Sequence, residues 1–394
     1  STADGYNPYR ITRAGMDWEV HDPNDPWSYI GYWGDHQIIY LLKLLEQSEA
    51  FHPDQLQALL SKEIFVYANI PYRIKPYESL LANPRESIDF DDDDHAAIMA
   101  LAETIGSDGK LTHLRDDDIY HVNLTEKLLV PLLAKLSNFI PEAGIWMNTQ
   151  RPEWNDANNA LVGSGVSMVT LCYMRRYLDF CVKLFSGCDK ENLVVSIEVE
   201  KQFLEMFDAL QAHLELLSSG FSNHQRRSML DMLGKAGERY RETIYQNGFS
   251  GEKTALPVAK FVAFFDLARE YMDQTIGANR RDDGLYHAYN LMKVEADGGI
   301  SIRNLYEMLE GQVAVLSCGK LSAAESLDVL NALRASSLYR SDQNSYILYP
   351  NRALPGFMEK NRVPTDTPFD PRVLARDRNG TLHFKPEFRN ADIL

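Results

Sequence analysis

The densest chemistry in the chain lies in Arg151-Pro-Glu-Trp-Asn-Asp-Ala-Asn-Asn-Ala-Leu-Val-Gly163. Two carboxylates (Glu153, Asp156), an indole (Trp154) and three amides (Asn155, Asn158, Asn159) crowd together there. That set suits a sugar. Hydroxyls take directional hydrogen bonds from amides, the apolar face of a pyranose stacks on indole, and a carboxyl group can protonate a glycosidic oxygen. The same residue types also make a well-capped helix N-terminus. Composition alone leaves both readings standing.

A second polar and aromatic cluster, Arg280-Arg-Asp-Asp-Gly-Leu-Tyr-His-Ala-Tyr-Asn290, offers Arg280, Arg281 and His287 as contacts to sugar or phosphate. Its bland counterpart is a surface charge pair beside a core tyrosine. Other chemistries find no support. The ten histidines form no HExxH, HxxxH or His/Cys cluster, so nothing points to zinc. Gly163-Ser-Gly165 lacks the third glycine and the preceding strand of a dinucleotide fingerprint, and neither a P-loop nor a GxSxG elbow occurs. The aspartates of Asp89–Asp94 lack the glycine and closing glutamate of a calcium loop and read as a solvated helix start. Asp116-Asp-Asp118 reads as surface.

The elements that must hold these residues are mostly helical. Residues 1–34 are irregular and aromatic (Tyr6, Tyr9, Trp18, Trp27, Tyr29, Tyr32, Trp33), broken by His21-Asp-Pro-Asn-Asp-Pro26. They would wrap a core or floor a sugar cleft. Asp35 is placed to cap a helix that is apolar on nearly all sides, from His36 to Glu46. Ile64–Ile70 could be a strand. Asn123 or Thr125 opens a long helix through Phe139-Ile140, and Val166–Phe185 is a second buried one. Val199–Leu217 and Ser222–Gln246 are amphipathic, the latter stopped by Asn247-Gly248. Pro257–Gln274 and the pair 302–317 and 321–336 follow. Buried and amphipathic helices recurring without strand–helix alternation predict an all-α fold, an inner ring of helices covered by an outer one.

With 394 residues, 45% of them hydrophobic, the chain can bury a large core. Its formal charge of −16 argues against nucleic acid or an anionic membrane as partner. No uncharged apolar run reaches the roughly 18 residues of a membrane span. The four cysteines (Cys172, Cys181, Cys188, Cys318) make no CxxC pair and read as thiols of a reducing, cytoplasmic setting.

Glu153-Trp-Asn-Asp-Ala-Asn-Asn-Ala-Leu-Val-Gly163 resembles the Asp-Trp-Asn-Asp-Gly-Met-Asn-Arg-Val-Gly motif of the cellobiose and chitobiose phosphorylases, glycoside hydrolase family 94. Ile30-Gly-Tyr-Trp-Gly-Asp-His-Gln37 is similar to that family's Ile-Gly-Phe-Arg-Asp-x-x-Gln, and Ser164-Gly-Val-Ser-Met-Val-Thr-Leu171 to the helix start after its motif. The resemblance covers chiefly residues 28–180. It implies Asp156 as proton donor, Trp154 as sugar platform and Asp35 as a hydroxyl-binding acid. Trp33, Glu153, Asn155, Asn159, Arg281 and His287 complete the candidate substrate contacts. It also implies an (α/α)6 barrel preceded by a β-sandwich. Departures accompany it. Glu153 and Ala157 replace the motif's Asp and Gly, Trp33-Gly34 stands in place of its Arg, Ser28 falls where an earlier Arg would align, and no late His and Thr for phosphate are found.

The expectation is therefore an all-α (α/α)6 barrel, incomplete at its C-terminus. Residues 1–34 pack on it as an aromatic segment, 35–340 form the catalytic barrel, and 341–394 are an irregular tail of the same domain. The function expected is glycosidic-bond cleavage or synthesis with inversion, phosphorylase-like, on β-linked gluco-oligosaccharides. Inorganic phosphate would be co-substrate, with no metal or other cofactor. An inverting hydrolase and a non-catalytic carbohydrate-binding toroid are the alternatives. The expected partners are the oligosaccharide and the remainder of a larger polypeptide, with a homo-oligomer also open.

Overall fold

The computed structural model describes residues 1–6, 10–13, 15–18, 20, 22, 24, 37–114, 118–147, 161–360, 362–385 and 387. The chain divides into two units, Ser1–Tyr349 and Pro350–Leu394. The larger unit carries the long helices: α1 (Gln37–Phe51), α2 (Asp92–Ile105), α3 (Leu124–Leu136), α4 (Met168–Ser186), α5 (Ile197–Ala212), α6 (Asn223–Asn247), α7 (Val258–Ala278), α8 (Leu309–Ser317) and α9 (Ala323–Ala335). Their ends follow local chemistry. The Asp91 side chain accepts from Asp94 N–H at the start of α2, Asn123 from Glu126 N–H at α3, and Ser167 from Thr170 N–H at α4. Ser222 and Gln225 form a capping box at α6, which ends at Gly248 with φ 68°.

These helices share the unit with a five-stranded antiparallel sheet. Its strands are β1 (Phe139–Ile140), β2 (Gly144–Trp146), β3 (Gly165–Ser167), β6 (Tyr289–Val294) and β7 (Ile300–Asn304), in the order β7-β6-β3-β2-β1. The register pairs Ile145 with Ser167, Ser167 with Tyr289, and Val294 with Ile300. A separate ribbon pairs β4 (Asn192–Ser196) with β5 (Lys253–Pro257), and α5 and α7 start directly from it.

The all-α barrel expectation is thus corrected: about half of the chain is helical and 18% is strand, including this sheet. The physical reason is strand length. Phe139–Ile140 spans two residues and Gly165–Ser167 three, too short to show a period of two, and both abut helices whose apolar pattern absorbs them. Phe139-Ile140 leaves the helix expected to contain it, and Ile300–Asn304 displaces the start expected for 302–317. One signal was present: Asp297-Gly298 between two alternating runs, where Glu295 and Gly299 close a hairpin (N–O 2.8 Å).

Packing follows from the apolar faces. Along α3 every residue but Lys127 is buried, and along α4 Met168, Leu171, Met174, Leu178, Cys181 and Phe185 face inward. Each such side chain contributes roughly 1.5–3 kcal/mol of burial. Helices α4 and α7 run antiparallel, as Arg175–Asp273 (3.0 Å) and Arg269–Asp179 (3.1 Å) require. Phe203 of α5 meets Phe261 and Phe264 of α7 at ring separations of 5.2 and 4.7 Å, joining the two helices through aromatic edges and faces. Helix α3 is tied to β4 by the buried Glu126 carboxylate, which accepts from Tyr67 Oη (3.0 Å) and Ser196 N (2.7 Å). Burial raises its pKa against the pull of these donors.

The turn between β1 and β2 is pinned by Glu142, a non-glycine residue at φ 62°. Its carboxylate accepts from Arg226, Gln274 Nε2 (3.0 Å) and Phe221 N (3.2 Å). Its main-chain N–H donates to Thr275 Oγ1 (3.1 Å), and its carbonyl accepts from Asn279 Nδ2 (2.9 Å). Asn290 Nδ2 on β6 donates to Ala143 O and to Asn279 Oδ1, both at 2.8 Å. One turn therefore binds α6, α7 and the sheet together.

In the smaller unit, Leu374–Arg376 pairs with Leu382–Phe384 over a small core of Val363, Leu374 and Leu382. Asp377 accepts from Asn379 N (2.8 Å) and Thr381 N (2.9 Å) and meets His383 Nε2 at 3.1 Å.

Replacing Glu142 separates its two contributions. Glu142→Ala leaves Arg226 without its carboxylate and is expected to lower the unfolding free energy by about 3 kcal/mol. Glu142→Gly should cost about 1 kcal/mol less, because glycine relieves the left-handed backbone. Urea unfolding of both variants checks this; a loss below about 0.5 kcal/mol for Glu142→Ala, the range of an ordinary surface substitution, would contradict it.

Candidate functional site

The proposed acid and its neighbours, Glu153, Trp154, Asn155, Asp156 and Asn159, lie outside the described residues, as do Trp33 and Asp35. The structure does define the frame on both sides of them. Strands β2 and β3 are adjacent, so the span 148–164 leaves and re-enters one edge of the sheet. Its two ends are joined by Met147 N–H to Gly165 O (2.9 Å). The buried Trp146 indole donates from Nε1 to Gly163 O (2.8 Å), and Met292 N–H on β6 bonds Ser164 O (2.9 Å). Gly163 itself sits at φ 78° against Pro84 and Arg85, where an added Cβ would lie 3.1 Å from Arg85 Cγ. A side chain there would be strained and crowded. The motif's terminal glycine is thus a backbone requirement.

Helix α4 begins at Met168, directly after β3, and α1 begins just after residue 35. Lys43 Nζ lies 5.6 Å from the Tyr173 ring centre, and Glu46 Oε1 is 2.5 Å from Arg176 Nε. Residue 43 faces 173 and residue 46 faces 176, so α1 and α4 advance together in parallel. Counting back along both, Gln37 and Met168 stand at the same end. Helix α8 shares this direction. Its C-terminal Ser317 O accepts from Arg176 Nη1 (3.1 Å), while Gly311 in its first turn packs on Ala288, whose carbonyl accepts from Met168 N–H (3.0 Å). An added Cβ on Gly311 would come within 2.7 Å of the Ala288 Cβ, so the close approach needs glycine.

Of the two described candidates, Arg281 is engaged. It forms a two-pronged pair with Asp283 (shortest 2.7 Å) and a second ion pair with Glu307 (3.2 Å). The Asp283 carboxyl is held below its usual range, first by its hydrogen bond to Arg281. His287 Nδ1 lies 3.2 Å from Leu305 O, and its main-chain N–H donates to Asn279 O (3.0 Å). Burial, followed by the Arg281 charge, lowers its pKa below 6.5, so the ring favours its neutral form. The pair builds the wall of the loop: Arg281 stiffens the Asp282-Asp283-Gly284 turn, and His287 fastens it to the segment entering α8.

Sequence reasoning missed the acids that meet this loop. Glu310, half-buried in the first turn of α8, accepts from Tyr289 Oη at 3.1 Å, and Glu307 takes Arg281 and Ser337 Oγ (2.9 Å). No motif marks either residue, since each partner is more than 20 positions away. Among the described residues no group of three or more His, Cys, Asp or Glu side chains could hold a metal ion. No helix among them is long and apolar enough to cross a membrane.

No family model matches the chain, and no curated protein matches it. The residues alone carry the functional argument.

The depressed His287 pKa sets a sign. The unfolded chain binds this proton more readily, so the contribution to stability is full above about pH 6.5 and is lost as pH falls. Proton NMR titration should place the His287 midpoint below 6.5, and Arg281→Ala should raise it. A midpoint above 6.5 in the unaltered protein would contradict this environment.

Proposed function

We propose that the protein is a carbohydrate-active enzyme that cleaves or forms a glycosidic bond with inversion, phosphorylase-like, on β-linked gluco-oligosaccharides. The observation that carries the reading is the parallel packing of α1 and α4. In the chain, the segment with Trp33 and Asp35 precedes one helix and the segment with Trp154 and Asp156 precedes β3 and the other, and these two helices start at the same end, at Gln37 and Met168. The residue types support the same reading: a carboxyl group to act on the leaving oxygen, an indole to seat the ring, amides for its hydroxyls.

In this mechanism Asp156 protonates the glycosidic oxygen while a nucleophile attacks the anomeric carbon from the opposite face. Inorganic phosphate in that role releases a sugar 1-phosphate. Water would release free sugar, and would need a second carboxylate roughly 6.5–9.5 Å from the first. Arg281 is no support for phosphate binding, because Asp283 and Glu307 already meet its charge. Glu153, Asn155 and Asn159 orient the substrate beside the acid. A cytoplasmic setting accompanies the reading, supported by four cysteines carried as thiols.

Incubation with a panel of β-linked disaccharides, with and without phosphate, tests the proposal. Phosphate-dependent release of sugar 1-phosphate is the expected result; release indifferent to phosphate would turn the reading to hydrolysis. Asp156→Asn should reduce turnover by about 100-fold or more while ligand binding persists. Binding without turnover in the unaltered protein would make it a carbohydrate-binding protein instead.

A further inference from the structure

Helix α6 carries four arginines, and three of them are met by carboxylates. Arg226 pairs with Glu142, Arg227 with Asp231 (2.6 Å) and Arg239 with Glu205 (2.6 Å). Arg241 is the most buried of the four, at 9% exposure. Yet among the described residues no hydrogen bond, ion pair or ring contact reaches its side chain. Its nitrogens are not sealed from solvent either. A guanidinium drawn so far inward without an acceptor is costly, so its N–H groups face a crevice that water or an anion must fill. The course of α6 makes that crevice. Arg226 holds Glu142 at the β1–β2 turn, and Gly237 lies against Ser137, the residue after α3 and two before β1. An added Cβ on Gly237 would come 2.7 Å from Ser137 Cβ and 3.2 Å from Arg241 Nη1, so the absent side chain leaves room beside the guanidinium. Arg241 is one turn further along, about 6 Å. Lys135, in the last turn of α3, is buried as well and adds a second cation close to Ser137 in the chain. Tyr245, one turn beyond Arg241, donates to the buried Asp4 carboxylate (2.6 Å), which also accepts from Thr2 Oγ1. Asn138, next to Ser137, accepts from Trp146 N–H (2.8 Å), so the crevice lies toward the end of the hairpin from which the span 148–164 departs.

We propose that Arg241 binds a small oxyanion of the phosphate class in this crevice. A planar guanidinium presents paired N–H donors that match two oxygens of a phosphate, and the anion meets a charge that the protein leaves unmet. Inorganic phosphate and the phosphate group of a sugar 1-phosphate share this chemistry. The choice of phosphate among oxyanions rests on the phosphorylase-like reading; the unpartnered cation and its crevice do not. Arg241 then supplies the contact that Arg281, held by Asp283 and Glu307, does not.

Calorimetric titration of the whole chain with inorganic phosphate, without sugar and at an ionic strength held constant by chloride, tests it. One saturable site per chain is expected, and Arg241→Met should weaken it by at least about 10-fold. Arg239→Met, which removes a charge from the exposed side of the same helix, should leave it unchanged. A parallel titration with glucose 1-phosphate tells whether the free ion or its ester is the better occupant; tighter binding of either, lost with Arg241, upholds the site. Thermal unfolding gives a second readout. Without phosphate, Arg241→Met should keep the Tm of the unaltered chain, because the guanidinium has no partner to lose, and phosphate should raise the Tm of the unaltered chain alone. Absence of saturable binding, equal weakening in both variants, or a variant at 241 that no longer folds without phosphate would each overturn the proposal. Phosphate-dependent turnover of a disaccharide in which Arg241→Met keeps its KM for phosphate would sink this inference and leave the carbohydrate reading standing.

Discussion

The structure of the larger unit turns on the Glu142–Arg226 pair. A carboxylate and a guanidinium with little exposure are costly to desolvate, and that cost is recovered only when the remaining donors and acceptors are met. Here the carboxylate is met by Gln274 on α7 and Phe221 ahead of α6, and the main chain of the turn by Thr275 and Asn279, while Arg226 Nε stays buried without an acceptor. The price is a left-handed backbone at a residue with a side chain, which persists because the surroundings over-determine it. With the turn fixed, β1 and β2 are fixed, and β3 and β6 follow through their register. The described frame around residues 148–160 therefore inherits its position from a charge pair at the other end of the hairpin.

Much of the helical content was readable, because capping chemistry is local. Ser222, Asn123 and the aspartates before α2 each announce a helix start within four residues, and Gly248 announces a stop. The sheet was not readable for the opposite reason. Ser167 is a strand residue opposite Ile145 and Tyr289, and at once the cap of α4. Nothing within its own neighbourhood distinguishes that from a plain helix start. Partners that lie more than a hundred residues apart decide it, and a single sequence does not display them.

The candidate site divides along the same line. Arg281 with Asp283 is a contact over two positions, and the surface charge pair considered from sequence is what forms, with Tyr286 beside it in the core. Glu307 and Glu310 reach the loop only through the fold. The requirement for glycine at 163 could be suspected from the motif, but its cause, the crowding by Pro84 and Arg85, belongs to a distant turn.

The way the span 148–164 is hung on the sheet bears on how such a protein diversifies. Its ends sit on neighbouring strands, about 5 Å apart, and are closed by main-chain bonds that do not depend on what lies between. The entropy of closing such a loop grows only slowly with its length, by about 0.6 kcal/mol per doubling. The number of residues between Met147 and Leu161 is thereby decoupled from the closure of the sheet. At the described end of the span the freedom stops, because Leu161 is buried in the core and Gly163 is fixed by its backbone.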